Sequence, residues 1–253
     1  MTEVLRTERL SVRYGGVQAL SDVDVSVSAG QLVGLIGPNG AGKTTFIDAI
    51  AGFAPSGGRV SLGGDDVSEL MPHHRARRGL ARTWQAADLF DDLTVHENLR
   101  VASGRPSLRR LARQLFTAHE DQRESVDRAL DLLGLTPLAD RGADELTQGH
   151  RKLVGVARAL AAEPALLCLD EPAAGLDANE SQALGQHLRE IVDRGTAVLL
   201  VDHDMGLVLS VCDEVVVLDF GKVIARGTPD EIRRNPAVVE AYLGRAADEV
   251  AAR

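Results

Sequence analysis

One segment constrains this chain more than any other: residues 37–44 read Gly-Pro-Asn-Gly-Ala-Gly-Lys-Thr and fit the pattern G-x-x-x-x-G-K-[ST] in full. An apolar run at 31–36 precedes the segment, and apolar residues follow it at helical spacing from 44 to 52. A strand, a glycine-rich loop and a helix in this order bind polyphosphate, because inward-pointing N–H groups and the positive end of the helix dipole attract anions. The segment therefore predicts an α/β fold built around a phosphate-binding loop.

The residue types of this loop suit separate tasks. Its glycines let the backbone approach a phosphate closely, Lys43 supplies a cation for the β- and γ-phosphates, and the Thr44 hydroxyl is suited to ligate Mg²⁺. A glycine-rich turn without a ligand is the alternative, but the strand before the loop and the helix after it argue against that interpretation. The predicted nucleotide-binding residues are Gly37, Pro38, Asn39, Gly40, Ala41, Gly42, Lys43, Thr44 and Thr45.

Two adjacent carboxylates, Asp170 and Glu171, lie at the end of the apolar run ALLCLD, in the segment ALLCLDEP at 165–172. In parallel α/β sheets, ligands bind at the carboxyl edge of the strands. A buried carboxylate pair is costly unless it meets a cation or takes part in proton chemistry. We therefore expect Asp170 to hold the magnesium shell and Glu171 to orient the attacking water or accept its proton. The alternative is an acidic pair that caps the following helix.

The remaining periodicity predicts an alternation of sheets and helices. Val23, Val25 and Val27 alternate with polar residues, which indicates strands within 4–36. Apolar residues then fall at helical spacing through about 94–162, and the runs at 165–170 and 196–202 predict buried parallel strands with crossover helices. The sequence TPDE predicts a capped helix start at Thr228.

Composition limits the class of protein. Hydrophobic residues make up 44% of the 253 residues, yet no apolar run approaches the roughly 18 residues that a membrane span needs. The N-terminus lacks the pattern of a secretory signal, and the two cysteines, Cys168 and Cys212, form no disulfide framework, so we expect a cytoplasmic chain with buried thiols. A formal net charge of −9 argues against nucleic acid as a partner.

These motifs, in this order, resemble those of ABC ATPases over nearly the whole chain. The resemblance implies a P-loop NTPase fold of the ABC-ATPase type, with a parallel-sheet RecA-like core, an N-terminal antiparallel β subdomain and a helical subdomain at about 94–162. It also implies that the substrate is ATP with Mg²⁺. We expect a single domain at 1–244 and a disordered tail at 245–253.

Four further positions match landmarks of that family. Tyr14 in SVRYGG resembles the aromatic residue that stacks on adenine, and His203 in VDHD resembles the switch histidine that contacts the γ-phosphate. Gln85 in RTWQ resembles the glutamine that reaches the magnesium and the attacking water, and it begins the loop that senses the membrane subunit. The segment AGLD, which consists of Ala174, Gly175, Leu176 and Asp177, resembles the loop that crosses the dimer interface in the family. The resemblance thus implies a catalytic set of Glu171, His203 and Gln85 and a metal set of Thr44, Gln85 and Asp170.

The signature segment departs from the family pattern LSGGQ. This chain has Leu146, Thr147, Gln148, Gly149 and His150, followed by a predicted helix that starts at RKLVGVARAL. In the family this segment closes over the γ-phosphate of the opposite subunit. Gln148 replaces a glycine and would crowd that approach, whereas His150 replaces a glutamine. A subunit that binds ATP but depends on a partner cassette for hydrolysis therefore remains an alternative.

Two arginine clusters and the remaining histidines are interpreted as surface groups. The clusters are Arg75, Arg77, Arg78 and Arg82, and Arg105, Arg109, Arg110 and Arg113. Solvated helix faces explain such clusters, with a membrane or membrane-subunit contact as the sharper hypothesis for the second. The histidines without ligand spacing are His73, His74, His96, His119 and His187.

Within the ABC family, three segments resemble the ATPases of branched-chain amino acid importers: ARTWQAADLFDDLTVHENLRVA, LDEPAAGLD and GTPDEIRRNPAVVEAYLG. The resemblance implies integral membrane permease subunits, a second ABC ATPase subunit (a paralogue or a second copy), and indirectly a solute-binding protein, at the inner face of the cell membrane. Uptake of urea or amides remains open. Chromosome-maintenance ATPases carry long coiled coils and translation-linked relatives carry two cassettes, and this sequence has neither feature.

Overall fold

Two β-sheets organise the part of the chain that the computed structural model describes, residues 2–84, 89–103 and 123–242. The strands are β1 Glu3–Tyr14, β2 Val17–Val23, β3 Ser26–Ser28, β4 Leu32–Ile36, β5 Gly57–Leu62, β6 Asp65–Asp66, β7 Leu80–Arg82, β8 Leu166–Asp170, β9 Ala197–Val201, β10 Glu214–Asp219 and β11 Lys222–Gly227. The helices are α1 Lys43–Ala51, α2 Pro72–Arg77, α3 Val95–Ser103, α4 at 123–132, α5 Gln148–Leu160, α6 Ala178–Asp193, α7 Met205–Val211, α8 Pro229–Arg233 and α9 at 236–242.

The larger sheet has six strands in the order β11-β10-β4-β9-β8-β7. All neighbours from β10 to β7 are parallel, and β4, β8 and β9 are buried along their whole length, as their continuous apolar runs predict. The antiparallel edge strand β11 was not predicted. It returns through a tight turn in which Phe220 and Gly221 have φ angles of 43° and 74°, the positive values that a type I′ hairpin requires.

The smaller sheet is antiparallel and is formed by the N-terminal strands. Its order is β2-β1-β5-β6, with β3 paired to β1. The alternating residues Val23, Val25 and Val27 are all buried, which confirms the predicted two-residue period.

The hydrophobic core lies on both faces of the parallel sheet. Successive strand residues point to opposite faces, so Cys168, Leu199 and Val201 pack in one cluster with α1 and the antiparallel sheet. Leu169 and Leu200 pack in the other cluster, together with residues of α5, α6 and α7. The two cysteines are buried as predicted, and burial raises the pKa of Cys168 to about 12, which keeps its thiol unreactive.

Helices α3, α4 and α5 lie between β7 and β8 in the sequence, as the 3.6-residue period through this region predicts. The predicted helix start at Thr228 is confirmed: Thr228 and Glu231 form a capping box at α8, with Pro229 at the first helical position. Among the described residues, no helix has both the length and the apolar character needed to cross a membrane.

Because the five strands from β10 to β7 of the larger sheet run parallel, their carboxyl ends meet at one edge. The loop that begins at Gly37 follows β4, Thr83 follows β7, Glu171 follows β8, and Asp202 follows β9. The fold therefore gathers the predicted site residues of distant segments at a single edge.

Candidate nucleotide site at the carboxyl edge of the sheet

The phosphate-binding loop is held by close backbone packing. A Cβ on Gly37 would lie 2.1 Å from the Leu218 carbonyl oxygen, and one on Gly42 would lie 2.8 Å from the carbonyl oxygen of Ala19. Gly42 also has a φ of 105°, which L side chains rarely adopt. Since Ala19 belongs to β2, the β1–β2 hairpin packs directly against the loop. These two positions require glycine for both steric and conformational reasons.

Lys43 and the following threonines occupy the first turn of α1. Lys43 is 7% exposed, and its ammonium donates to the carbonyl oxygens of Gly37 at 2.7 Å and Pro38 at 3.1 Å. Thr44 is exposed and Thr45 is half-buried. The rest of the loop consists of buried Ala41 and exposed Asn39 and Gly40. The positive charge of Lys43 and the N-terminus of α1, which is the positive end of the helix dipole, thus lie together beside the loop.

Asp170 is the buried carboxylate of the edge. It is 2% exposed, its Oδ2 lies 3.3 Å from Nη2 of Arg82, and its backbone N–H donates to Thr83 Oγ1 at 3.2 Å. Burial raises the pKa of Asp170, although the Arg82 charge opposes that shift. Its second oxygen, Oδ1, is buried and has no hydrogen-bond partner among the described residues. A buried oxygen with an unused lone pair is the kind of group that a cation or an ordered water satisfies.

Glu171 has a strained backbone, and its side chain lies near that of His203. Its φ is +50°, and this conformation is fixed by hydrogen bonds from its N–H to the Val201 carbonyl oxygen at 2.7 Å and from Lys152 Nζ to its own carbonyl oxygen at 3.0 Å. His203 Nδ1 lies 3.9 Å from Glu171 Oε2 and 3.7 Å from Asp202 Oδ1. The fold thus brings together two side chains that the sequence analysis assigned to one reaction.

Two residues that support Glu171 were not predicted from the sequence. Asp202 is fully buried and accepts hydrogen bonds from the N–H groups of Ala173 at 3.0 Å and Asp204 at 2.9 Å, which holds the loops after β8 and β9 together. Lys152 fixes the Glu171 carbonyl from α5, and burial lowers the Lys152 pKa against the opposing carboxylates. The position of Asp202 beside His203 at the end of a buried strand was the available signal for Asp202.

The signature segment begins its helix earlier than predicted. Helix α5 starts at Gln148 rather than after His150, because the Thr147 hydroxyl caps it by accepting from the His150 N–H at 3.2 Å. Leu146 packs at the edge of the core. Gly149 lies within the first turn of α5, so three of the five signature residues are helical.

The predicted dimer loop touches the signature segment of the same chain. A Cβ on Gly175 would lie 3.2 Å from Nε2 of Gln148, so the residue that replaces a family glycine packs against this loop. Asp177 caps α6 and forms a capping box with Glu180. Ala174 and Leu176 are half-buried, and Leu176 packs against the core.

Of the remaining predicted site residues, Tyr14 lies within the described part of the chain and Gln85 does not. Tyr14 ends β1 with 48% of its surface exposed, in the hairpin that packs against the loop. Gln85 lies outside the described residues, as does the second arginine cluster. The metal set of Thr44, Gln85 and Asp170 therefore has two described members.

The interpretation of the first arginine cluster as a solvated face is wrong for Arg75 and Arg82. Arg75 is 3% exposed, and within the described part of the chain its guanidinium donates to four backbone carbonyl oxygens. The Arg82 side chain is 6% exposed and forms ion pairs with Asp48 and Asp170. Arg77 and Arg78 are exposed as predicted. The surface interpretation is also inexact for His96 and His187, which are half-buried.

A groove of about 720 Å³ opens beside Asp170 and Glu171. Its wall includes the exposed aromatic rings of Phe53 and Trp84, whose centroids are 5.1 Å apart in an edge-on arrangement. Residues of α2, β7, α3 and α5 also line the groove. The groove therefore reaches the carboxylates that follow β8, at the same edge of the sheet as the loop that follows β4.

The residues present fit a magnesium ion bound together with a nucleotide. Among the described residues, no group of three or more His, Cys, Asp or Glu side chains could hold a metal by itself. Mg²⁺ is ordinarily held by one or two protein oxygens together with substrate phosphates and waters. The exposed Thr44 hydroxyl and the unpaired Asp170 Oδ1 provide such oxygens.

The strand, loop, carboxylates and histidine described above define a nucleotide-binding cassette, and the chain belongs to the ABC transporter family: the sequence model of that family matches residues 20–174. A second model, described as branched-chain amino acid ATP-binding cassette transporter, matches residues 222–248. The family establishes the chain as a nucleotide-binding ATPase subunit of a transporter. The resemblance stated from the motifs is thereby confirmed.

Relatives and solved structures agree with this family. The high-affinity branched-chain amino acid transport ATP-binding protein BraF of Pseudomonas aeruginosa is 39% identical, covering 96% of this chain and 98% of its own. The lipopolysaccharide export system ATP-binding protein LptB of Haemophilus influenzae is 34% identical over 95% and 97%. A solved ATP-binding cassette of an ABC transporter in its ADP conformation has a TM-score of 0.85 at 33% identity, covering 96% of this chain and all of its own. The expected ABC ATPase fold is confirmed.

Proposed function

We propose that this subunit hydrolyses MgATP to energise the uptake of branched-chain amino acids. The observation that carries the chemistry is the meeting of the phosphate loop, Asp170, Glu171 and His203 at one edge of the sheet. The solute is supported by the C-terminal match at 222–248 and by the similarity to BraF, which is named for this transport.

The phosphate loop binds the β- and γ-phosphates through its backbone N–H groups and Lys43. The Lys43 ammonium exchanges its two carbonyl partners for phosphate oxygens when nucleotide enters. Thr44, Asp170 and Gln85 would hold the magnesium, which supplies charge neutralisation at the phosphates when bound. Tyr14 stacks on the adenine from the neighbouring hairpin.

Glu171 orients the attacking water and accepts its proton. Hydrogen bonds with Lys152 and Val201 fix its backbone and so limit the positions that its carboxylate can take, which reduces the reorganisation needed during the reaction. His203, 3.9 Å from this carboxylate, contacts the γ-phosphate and stabilises its developing charge. These roles require both side chains at the same edge of the sheet, and their positions after the parallel strands β8 and β9 support this.

Each site is completed by a second cassette. In this proposal residues 146–150 cover the ATP bound by the opposite subunit, with donors at the capped N-terminus of α5 pointing to its γ-phosphate. Residues 174–177 lie in the dimer interface beside Gln148. ATP binding stabilises the closed dimer and product release opens it.

The groove lined by Phe53 and Trp84 receives the permease subunits. An exposed aromatic pair next to a deep apolar groove is a typical anchor site for a protein partner, and permeases are the partners that the transporter family implies. Docking there places the subunit at the inner face of the cell membrane, with the solute-binding protein acting only through the permease.

Export is the second candidate function, favoured by the 34% identity to LptB. The identity to BraF is 39%, and the branched-chain model covers the C-terminal segment, so uptake is the better supported direction. Urea or amide uptake would be detected by a transport assay with labelled solutes. Dependence on a partner cassette would be detected by the oligomeric state of the Glu171→Gln protein with MgATP.

The hydrolysis mechanism is tested by two single substitutions in the purified protein. Lys43→Ala should weaken ATP binding and hydrolysis together, whereas Glu171→Gln should retain ATP binding and lose roughly 10²–10⁴-fold in turnover. Glu240→Gln, an exposed change of the same type, should leave both unchanged. Phosphate release and fluorescent-nucleotide binding are the measurements. Unaltered turnover in Glu171→Gln would remove Glu171 as the base.

The solute is tested separately in the reconstituted transporter. Vesicles holding the complex should accumulate labelled leucine, isoleucine and valine when MgATP is supplied, and the complex carrying Lys43→Ala should not. Accumulation of labelled urea instead of leucine would replace the solute and leave the ATPase assignment intact.

A further inference from the structure

Arg82 stands between the groove and the metal-binding edge. Its guanidinium carbon lies 4.3 Å from the ring centroid of Trp84 and 6.0 Å from that of Phe53, the aromatic wall of the groove. On its other side the same guanidinium pairs with Asp48 of α1 and, through Nη2 at 3.3 Å, with Oδ2 of Asp170. One buried group thus touches both the exposed aromatic wall and the carboxylate of the nucleotide site.

The position of Arg82 depends on all these contacts together. A guanidinium is planar, so it can stack on a ring while its edge donates to carboxylates, which a lysine cannot do in the same way. The side chain is 6% exposed, and its Nε has no hydrogen-bond partner among the described residues. Its place is therefore set by Asp48, Asp170 and the ring of Trp84, and a change at one of these partners alters the balance at the others.

We propose that Arg82 is a positioning residue that relays metal binding at Asp170 to the aromatic wall of the groove. The proposal rests on the proposed function, in which Asp170 holds Mg²⁺ and the groove receives the permease. A cation on Oδ1 of Asp170 neutralises the carboxylate and repels the guanidinium, which weakens the Arg82–Asp170 pair at Oδ2 and shifts Arg82 against Trp84. By thermodynamic reciprocity, a partner that fixes Trp84 changes the affinity of the nucleotide site for the metal.

The chain carries its own probe for this relay, because Trp84 is its single tryptophan. In the isolated protein saturated with ADP and chelator, excitation at the red edge of tryptophan absorption reports the surroundings of this ring alone. Addition of excess Mg²⁺ should change the intensity or wavelength of the emission, and renewed chelation should reverse the change. Trp84→Phe should abolish the signal and thereby identify its source.

Three variants decide whether the signal passes through Arg82. Arg82→Gln should bind MgADP, measured by calorimetry, but lose the emission response to Mg²⁺. Arg82→Lys preserves the charge, so it should fold stably even if Arg82→Gln does not. Its emission response to Mg²⁺ should still be smaller than that of the wild type, because an ammonium group is not planar and cannot stack on the ring. Arg77→Gln removes an equal charge from an exposed residue that lines the same groove, and it should respond like the wild type.

The outcomes separate this proposal from the proposed function. An emission that stays constant on Mg²⁺ addition while calorimetry records MgADP binding overturns the relay and leaves the ATPase mechanism standing. A response of equal size in the wild type and both Arg82 variants also overturns it, because the signal would then bypass Arg82. Loss of nucleotide binding in Lys43→Ala, or its absence in the wild type, bears on the proposed function alone.

Discussion

Arg75 illustrates how one buried side chain joins several elements. It donates to the carbonyl oxygens of Ala49 at 2.8 Å and Ile50 at 3.0 Å, which belong to the last turn of α1, and to those of Ser68 and Leu70 in the loop between β6 and α2. Carbonyl oxygens at a helix C-terminus lack intrahelical partners and carry partial negative charge, so a cation stabilises them. Arg75 thus fixes the end of the helix that begins in the phosphate loop.

Replacing Arg75 should therefore destabilise the fold without touching a catalytic group. Arg75→Met keeps the length of the side chain but leaves buried carbonyl oxygens unsatisfied, and we expect the free energy of unfolding to fall by about 2 kcal/mol. Urea denaturation followed by circular dichroism measures this change. Arg77→Met, an exposed neighbour on α2, should change the free energy by less than about 0.5 kcal/mol. Equal effects of the two substitutions would contradict the assigned role of Arg75.

Individual residues could be predicted from the sequence where they belong to a local motif. The burial and contacts of a residue could not be predicted where they depend on elements that are distant in the sequence. The phosphate loop and the pair Asp170–Glu171 were recognisable because their pattern and flanking apolar runs are local. Arg75 and Arg82 occur in a run of arginines, and spacing along the chain does not reveal that α1, α2 and β7 enclose two of them. The contact of His203 with Glu171 likewise depends on strands that are neighbours only in the folded sheet.

The packing of α7 on the parallel sheet depends on the absence of a side chain at Gly34. A Cβ at this position in β4 would lie 2.7 Å from Cγ1 of Val208 and 3.0 Å from Sγ of Cys212, both on or just after α7. Since protein cores are packed to near-crystalline density, neither group has space to retreat without moving the helix. Glycine in a central strand costs backbone entropy, and the close approach of helix and sheet offsets that cost.

We therefore expect Gly34→Ala to lower the free energy of unfolding by about 1–3 kcal/mol through overpacking. In a Val208→Ala background the same substitution should cost less, by at least about 0.5 kcal/mol, because the added methyl group occupies the vacated space. Denaturant titrations of the four proteins of this cycle measure the coupling. Gly16→Ala, where nothing lies within 4 Å of the added carbon, serves as the control. Identical losses in both backgrounds would refute the steric explanation.

Whole elements were predicted where their period and caps are local. The buried runs of β8 and β9 and the capped start of α8 appear in the sequence as they do in the structure. The start of α5 was placed too late, although Thr147 is a capping residue type, because residues 148–150 are polar or glycine and do not extend the apolar period of the helix. The edge strand β11 was missed because Phe220 is an unusual residue for a turn that requires positive φ.

At the scale of the whole molecule, the parallel strand order brings four loops to one edge, yet these loops provide only half of the proposed reaction site. The phosphate loop, Asp170, Glu171 and His203 meet within one chain. The signature segment lies on α5, where Gln148 packs beside Gly175 of the predicted dimer loop. If residues 146–150 cover the nucleotide of a second subunit, bound ATP forms part of the interface between the two subunits. The closed dimer should therefore form only when ATP is bound.

That dependence can be measured with Glu171→Gln, which should bind MgATP without consuming it and so accumulate the closed state. Size exclusion with light scattering should show a shift from monomer to twice the monomer mass on addition of MgATP, reversed by chelation of the metal, because only a nucleotide that remains bound contributes to the interface. The double variant Lys43→Ala with Glu171→Gln is the matched control and should stay monomeric. A dimer would mean that Gln148 and His150 allow this signature to complete a site against the chain's own phosphate loop. A monomer that binds MgATP fully would instead require a different partner cassette, and mixing it with candidate paralogues in the same measurement would then identify the pair.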